Sequence, residues 1–128
     1  MKRILPFLFA LALMSCYDVK RDCEAFKTGE FEFKYIVDGK EKTGRFVRTE
    51  NLSISHYDGK IDSSSVRWIN DCEFILKTIN PKTNTEKDAL HMKILSTTEN
   101  SYIFEYKLAV KKLNRPQRIE KGVAYKIN

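Results

Sequence analysis

A chain of 128 residues with 23 Lys and Arg, 17 Asp and Glu and a formal charge of +6 has the size of one domain and enough length to bury a core. The basic excess is modest, which argues against a nucleic-acid partner, because such surfaces concentrate their charge in a patch or stripe. No glycine-rich phosphate loop, metalloprotease helix or acidic calcium loop occurs, so no cofactor is expected.

The first element in chain order is a leader. Lys2-Arg3 precedes an unbroken apolar run of 11 residues, Ile4 to Met14, followed by Ser15-Cys16. A positive start and a short apolar stretch form a secretory signal peptide over residues 1–15, too short to cross a hydrocarbon core of about 30 Å as a helix. The ending Leu13-Met14-Ser15-Cys16 resembles a bacterial lipobox. That resemblance implies cleavage before Cys16, lipidation of its thiol, and a membrane-anchored lipoprotein of the bacterial cell envelope. A single acyl chain holds a protein to a bilayer only marginally, and lipobox cysteines resemble sites that receive two or three. Plain secretion with a free cysteine and an uncleaved N-terminal anchor are the alternatives. The leader takes Lys2 and Arg3 with it, so 21 basic residues face 17 acidic ones and the net charge falls from +6 to +4.

Residues 16–27 are polar and mixed, and are expected to tether the domain, with a single helical turn near Asp22–Phe26. From residue 28 to 128 the dominant period is two, the signature of strands. Phe31, Phe33, Tyr35 and Val37 alternate with polar neighbours, and Asp38-Gly39 then marks a hairpin of the type that needs positive φ at both central residues. A return strand over 41–49 places Phe46 and Arg48 on one face. Leu52, Ile54 and His56 alternate with Ser53, Ser55 and Tyr57, and Asp58-Gly59 repeats the hairpin signal. Strands follow through Trp68, through Phe74 and Leu76, through Leu90, Met92 and Ile94, and through Tyr102, Phe104, Tyr106 and Leu108. Ile119, Val123, Tyr125 and Ile127 mark a last strand, with a bend or bulge expected at Gly122. Strands at this spacing predict an all-β antiparallel meander of about eight strands, either a small lipocalin-like barrel or a strongly curved sheet.

Three cysteines less the lipidated one leave Cys23 and Cys72. In an oxidising compartment they can pair; two buried free thiols are the alternative. Two cysteines make a poor zinc site, and neither His56 nor His91 stands at a metal-motif spacing, so no metal is expected. Each histidine sits singly on an alternating strand, as rim residues do, and the Ser63-Ser64-Ser65 run is no nucleophile elbow. The chain therefore reads as a non-enzyme. Phe31, Phe33, Tyr35, Phe46, Trp68, Tyr102, Phe104 and Tyr106 are candidates to line an apolar ligand cavity, though the same rings would also serve to fill a core. Lys107, Lys111, Lys112, Arg115, Arg118, Lys121 and Lys126 meet a single acid, Glu120, and form either a patch for anionic head groups or a solvated hairpin. The expected partners are the membrane, through the N-terminal lipid, and a small apolar ligand or an envelope protein. The other reading is a structural or assembly lipoprotein with a filled core.

The stretch Cys23-Glu-Ala-Phe26-Lys-Thr28-Gly29-Glu-Phe31, the pair Arg48-Thr49 and the run Trp68-Ile-Asn-Asp-Cys72-Glu-Phe74 resemble a family of short flavobacterial lipoproteins of unknown function. The resemblance ties one cysteine to the approach of the first strand and the other to the segment after the tryptophan. It implies no catalytic residues. Some members of that family carry a DNA topoisomerase IV label. The export signal and the lack of an ATP-binding motif argue against such an activity here.

Overall fold

The computed structural model describes residues 21–128. The leader and Cys16 lie outside the described residues. Eight antiparallel strands follow one another in sequence and close into a barrel: β1 (Gly29–Val37), β2 (Lys40–Arg48), β3 (Leu52–Tyr57), β4 (Lys60–Trp68), β5 (Glu73–Thr78), β6 (Leu90–Thr97), β7 (Ser101–Leu108) and β8 (Glu120–Lys126). The meander expected from the period-two pattern is thus a barrel, not an open sheet.

Both Asp-Gly pairs do what their chemistry predicts. Asp38 and Gly39 have φ of 51° and 74°, Asp58 and Gly59 of 50° and 69°, and each pair makes a two-residue turn between directly opposed strands. The two-residue hairpins set the register, and the register sets which side chains enter the barrel. Phe31 lies opposite Phe46 and Phe33 opposite Gly44, so β1 and β2 turn the same aromatic face inward. Between β6 and β7 the register shifts at Leu95, a bulge that lets Ile94 and Thr97 both meet inward residues of β7, Phe104 and Tyr102.

Closure comes from β1 and β8. Their ladder holds three residue pairs, Phe31 with Lys126, Glu32 with Tyr125 and Phe33 with Ala124. Three backbone bonds beyond it, from Glu30 N–H to Asn128 O and from the Ile127 and Asn128 N–H groups to Glu30 O, complete that end. The apolar residues that mark β8 in sequence face outward: Ile119, Val123, Tyr125 and Ile127 are all exposed. Its inner face is Gly122 and Ala124. The interior there is taken by Tyr102, Phe104 and Phe31, and only small residues fit opposite them. Gly122 is no bend or bulge. It sits in regular register with Phe104, whose ring occupies the space a side chain would need; a Cβ there would lie 2.6 Å from Phe104 Cζ.

One end of the barrel is plugged. A 3₁₀ turn, Glu24–Phe26, drives Phe26 into the base, where it packs edge-on against Tyr102 at a centroid distance of 5.3 Å. Cys23 and Cys72 form a disulfide that fastens this turn to the β4–β5 connection. Residues 23–27, grouped with the tether in sequence, are therefore part of the folded base. Phe26, Phe31, Phe74 and Ile94 are the largest fully buried side chains. Each such burial stabilises by about 1.5–3 kcal/mol. The opposite end carries the two tight hairpins, the β5–β6 connection with its 3₁₀ turn at Thr85–Lys87, and the β7–β8 loop.

Candidate functional site

Above the plugged base the barrel interior holds a cavity of about 310 Å³. That is the lower end of the range for small-molecule sites. Its walls are mostly apolar. Phe33, Phe46 and Phe104 form one part, Phe74, Leu76 and Met92 another, with Tyr35 and Tyr106 nearer the open end. The strand pairing explains why space is left. Phe33 lies over Gly44 of the neighbouring strand, where a Cβ would come within 2.3 Å of its Cζ, and Phe104 lies over Gly122 in the same way. Two glycines let two rings lie back against the barrel wall instead of filling its centre.

A third wall is polar. The β3 alternation places Ser53 and Ser55 inward, opposite the inward positions Arg48 and Phe46 of β2, while Leu52, Ile54 and His56 face the other way. Beside it, Tyr57 donates a 2.6 Å hydrogen bond to Asp62. That bond and the Asp62 charge favour the neutral phenol and push the Tyr57 pKa up to about 12, with burial adding to the effect.

The floor is Arg48, which is 3% exposed. Its Nε donates to Lys27 O at 3.1 Å, its Nη2 to Phe26 O, and its Nη1 to Tyr102 Oη at 3.0 Å. The guanidinium is packed among five rings, with centroids at 4.8 Å for Phe74, 4.9 Å for Phe31, 5.5 Å for Phe46 and Tyr102, and 5.7 Å for Trp68. Such stacking suits a flat, weakly hydrated cation. Among the described residues no carboxylate lies within ion-pair reach of it. Burial pushes the Tyr102 phenol above its ordinary range, against the opposing pull of Arg48, so Tyr102 stays a neutral O–H donor.

The cavity also reaches the seam between β1 and β8. Their ladder ends at Phe33 and Ala124, and beyond it Lys34 and Tyr35 on one strand and Lys121, Gly122 and Val123 on the other line the cavity. The seam is unpaired where the cavity meets it, which makes it a natural side entrance.

Six of the eight aromatic candidates line this space: Phe33, Tyr35, Phe46, Tyr102, Phe104 and Tyr106. Phe31 and Trp68 do not. Phe31 is fully buried beneath the floor, stacked on Phe46 at 4.9 Å, and Trp68 packs on Phe74 at 4.5 Å. Both sit too near the plugged end, where the strands converge on Phe26 and the disulfide. Arg48, Ser53 and Ser55 are lining residues that the aromatic pattern missed; the available signal was that Arg48 shares a strand face with Phe46. His56 is exposed on β3, and His91 lies on β6 with its Nε2 3.1 Å from Glu73. The two histidines share no ladder. Among the described residues no group of three or more His, Cys, Asp or Glu side chains is placed to hold a metal ion. The basic C-terminal run is partly engaged: Lys112 pairs with Asp88 at 2.9 Å, and Lys126 donates to Ala25 O at the base.

Fold and site together define a small antiparallel β-barrel with one plugged end and an internal, mostly apolar cavity over a cationic floor. No family model, curated protein or solved structure matches the chain.

Proposed function

We propose that this chain is a lipid-anchored protein of the bacterial cell envelope whose barrel binds a small apolar ligand. The observation that carries the binding role is the cavity of about 310 Å³ held open by Gly44 and Gly122 inside a closed barrel. A domain of this size has little interior to spare, and a core built only for stability packs to crystal-like density. The lipobox-like ending at Cys16 supports the anchor. Six residues, 17–22, separate Cys16 from Cys23 at the plugged base, a reach of at most about 25 Å. An anchored barrel therefore turns its base toward its membrane and its open end away.

Binding is tested with 1-octanol, a neutral apolar probe, by NMR titration of the purified protein. The expected result is saturable shifts at Phe33, Phe46 and Phe104, lost in a Ser55→Leu variant that fills the cavity and keeps the wild-type melting temperature. Absence of saturable shifts, or equal shifts in the filled variant, rejects the ligand and favours the accessory lipoprotein with no ligand. Anchoring is tested by metabolic labelling with palmitate, expected in the wild type and absent in Cys16→Ser; an unlabelled wild type rejects it.

A further inference from the structure

We infer that the ligand of this cavity is a medium-chain amphiphile with a single negative charge, a fatty-acid-like carboxylate whose head meets Arg48 and Tyr102 at the floor. This rests on the ligand-binding reading above and adds the ligand's chemical class and its orientation.

Among the described residues, the Arg48 charge has no carboxylate partner. A guanidinium carries five N–H donors. Three of its hydrogen bonds are accounted for, to the carbonyls of Phe26 and Lys27 and to the Tyr102 oxygen. Carbonyls and ring faces orient a cation but do not neutralise it. A buried charge without a counter-ion is costly, and proteins normally pair it. Among the described residues, the buried cation itself lines the cavity, which offers space for a counter-ion beside it.

The rest of the lining points the same way. It includes the cationic residues Arg48, Lys34 and Lys121 and no Asp or Glu. Lys34 and Lys121 flank the seam; Lys34 is paired with Glu41 at 3.3 Å, so an anion meets the charge of Lys121 at the seam and that of Arg48 at the floor. Around Arg48 stand hydroxyl donors: Tyr102, held as the neutral phenol, and Ser53, its register partner on β3. A carboxylate presents two oxygens in the geometry that an Arg fork and neighbouring hydroxyls can serve. A dianion brings a second charge for which the floor has no second cation. The walls above the floor are Phe33, Phe46, Phe74, Leu76, Met92 and Phe104, so the head goes down and an alkyl tail lies toward the open end. A volume of about 310 Å³ holds roughly ten groups of water size, which fits a chain of eight to ten carbons.

The test is calorimetric titration of the purified protein with octanoate, 1-octanol, methyl octanoate and octyl phosphate at one ionic strength and below micelle formation. Octanoate is expected to bind at least tenfold more tightly than the alcohol or the ester, and more tightly than octyl phosphate. In Arg48→Met the preference for octanoate over octanol is expected to fall below twofold. Because Arg48→Met can fail to fold, the wild type carries a second readout: the Arg48 side-chain N–H resonances shift on adding octanoate and not on adding octanol. Equal affinity for octanoate and octanol overturns the head-group inference and leaves the apolar-ligand reading standing. No binding of any of the four overturns both. Tighter octyl phosphate overturns the single-charge assignment. A preference that survives in folded Arg48→Met, or Arg48 resonances unmoved by octanoate, overturns the role of Arg48 and makes it a structural plug alone.

Discussion

Removing the Cys23–Cys72 disulfide should cost the domain about 4 kcal/mol. The bridge spans 49 positions and encloses β1 through β4, half of the barrel. In the chain-entropy account, losing a cross-link of that span returns about 14 cal/mol/K to the unfolded chain, or ~4 kcal/mol at 25 °C. A domain of this size is stable by only about 5–15 kcal/mol, so the loss is a large share of the total. The cleanest variant is Cys23→Ala with Cys72→Ala, because Cys23 is 2% exposed and a serine there would bury a hydroxyl. Urea denaturation is the assay. With m near ~1.5 kcal/mol/M the midpoint should fall by about 2.5 M, and the melting temperature by roughly 15 °C. Because the effect lies in the unfolded ensemble, m should rise as the unlinked chain expands, while the native fold is retained. A loss below ~1 kcal/mol would refute the reasoning. So would an unchanged m with lost hydrogen-exchange protection confined to residues 23–27, since the bridge would then act by holding the plug and not by restricting the unfolded chain.

Three further expectations follow from the geometry. Gly44→Ala places a Cβ against the Phe33 ring, 2.3 Å from Cζ, and should destabilise by about 1–3 kcal/mol and weaken octanol binding as the ring is pushed into the cavity; unchanged stability would show that the ring is not held there. Asp62→Asn removes the charge that keeps Tyr57 protonated, so the Tyr57 pKa should drop from about 12 toward the ordinary 10, read at 295 nm as the difference from a Tyr57→Phe control. Because that pKa is raised in the folded state, its contribution to stability is complete below pH 10 and is lost as pH rises toward 12. The Glu73 carboxyl behaves oppositely: the hydrogen bond from Asn70, with help from His91 and Lys93, holds it below the usual carboxylate range. Its contribution is present above that range and is lost as pH falls through its folded value, and Asn70→Ala should raise the Glu73 pKa in an NMR titration. An unmoved Glu73 titration in that variant would remove Asn70 as the main cause.

The sequence alone determined the strands, their turns and their order. Alternation is a local property, and Asp-Gly needs only its own two residues to demand positive φ, so Asp38-Gly39 and Asp58-Gly59 were legible without a partner strand. The pairing of Cys23 with Cys72 was legible as one of two outcomes, since two thiols allow a single bridge. Tertiary structure decided whether the sheet closes, because closure depends on three residue pairs between the first strand and the last. It also decided which face of each strand enters the barrel. In β8 the bulky apolar residues face out and Gly122 and Ala124 face in; in β3 Ser53 and Ser55 face in while Leu52 and Ile54 face the other way. Hydrophobicity by itself points to the opposite assignment. A barrel interior has a fixed volume, so rings contributed by β1 and β7 force small or polar residues onto the strands across from them. Arg48 shows the same limit: beside Phe46 it reads as one charge on a strand, and only the convergence of the 3₁₀ turn, β7 and the aromatic base makes it the buried floor of a cavity.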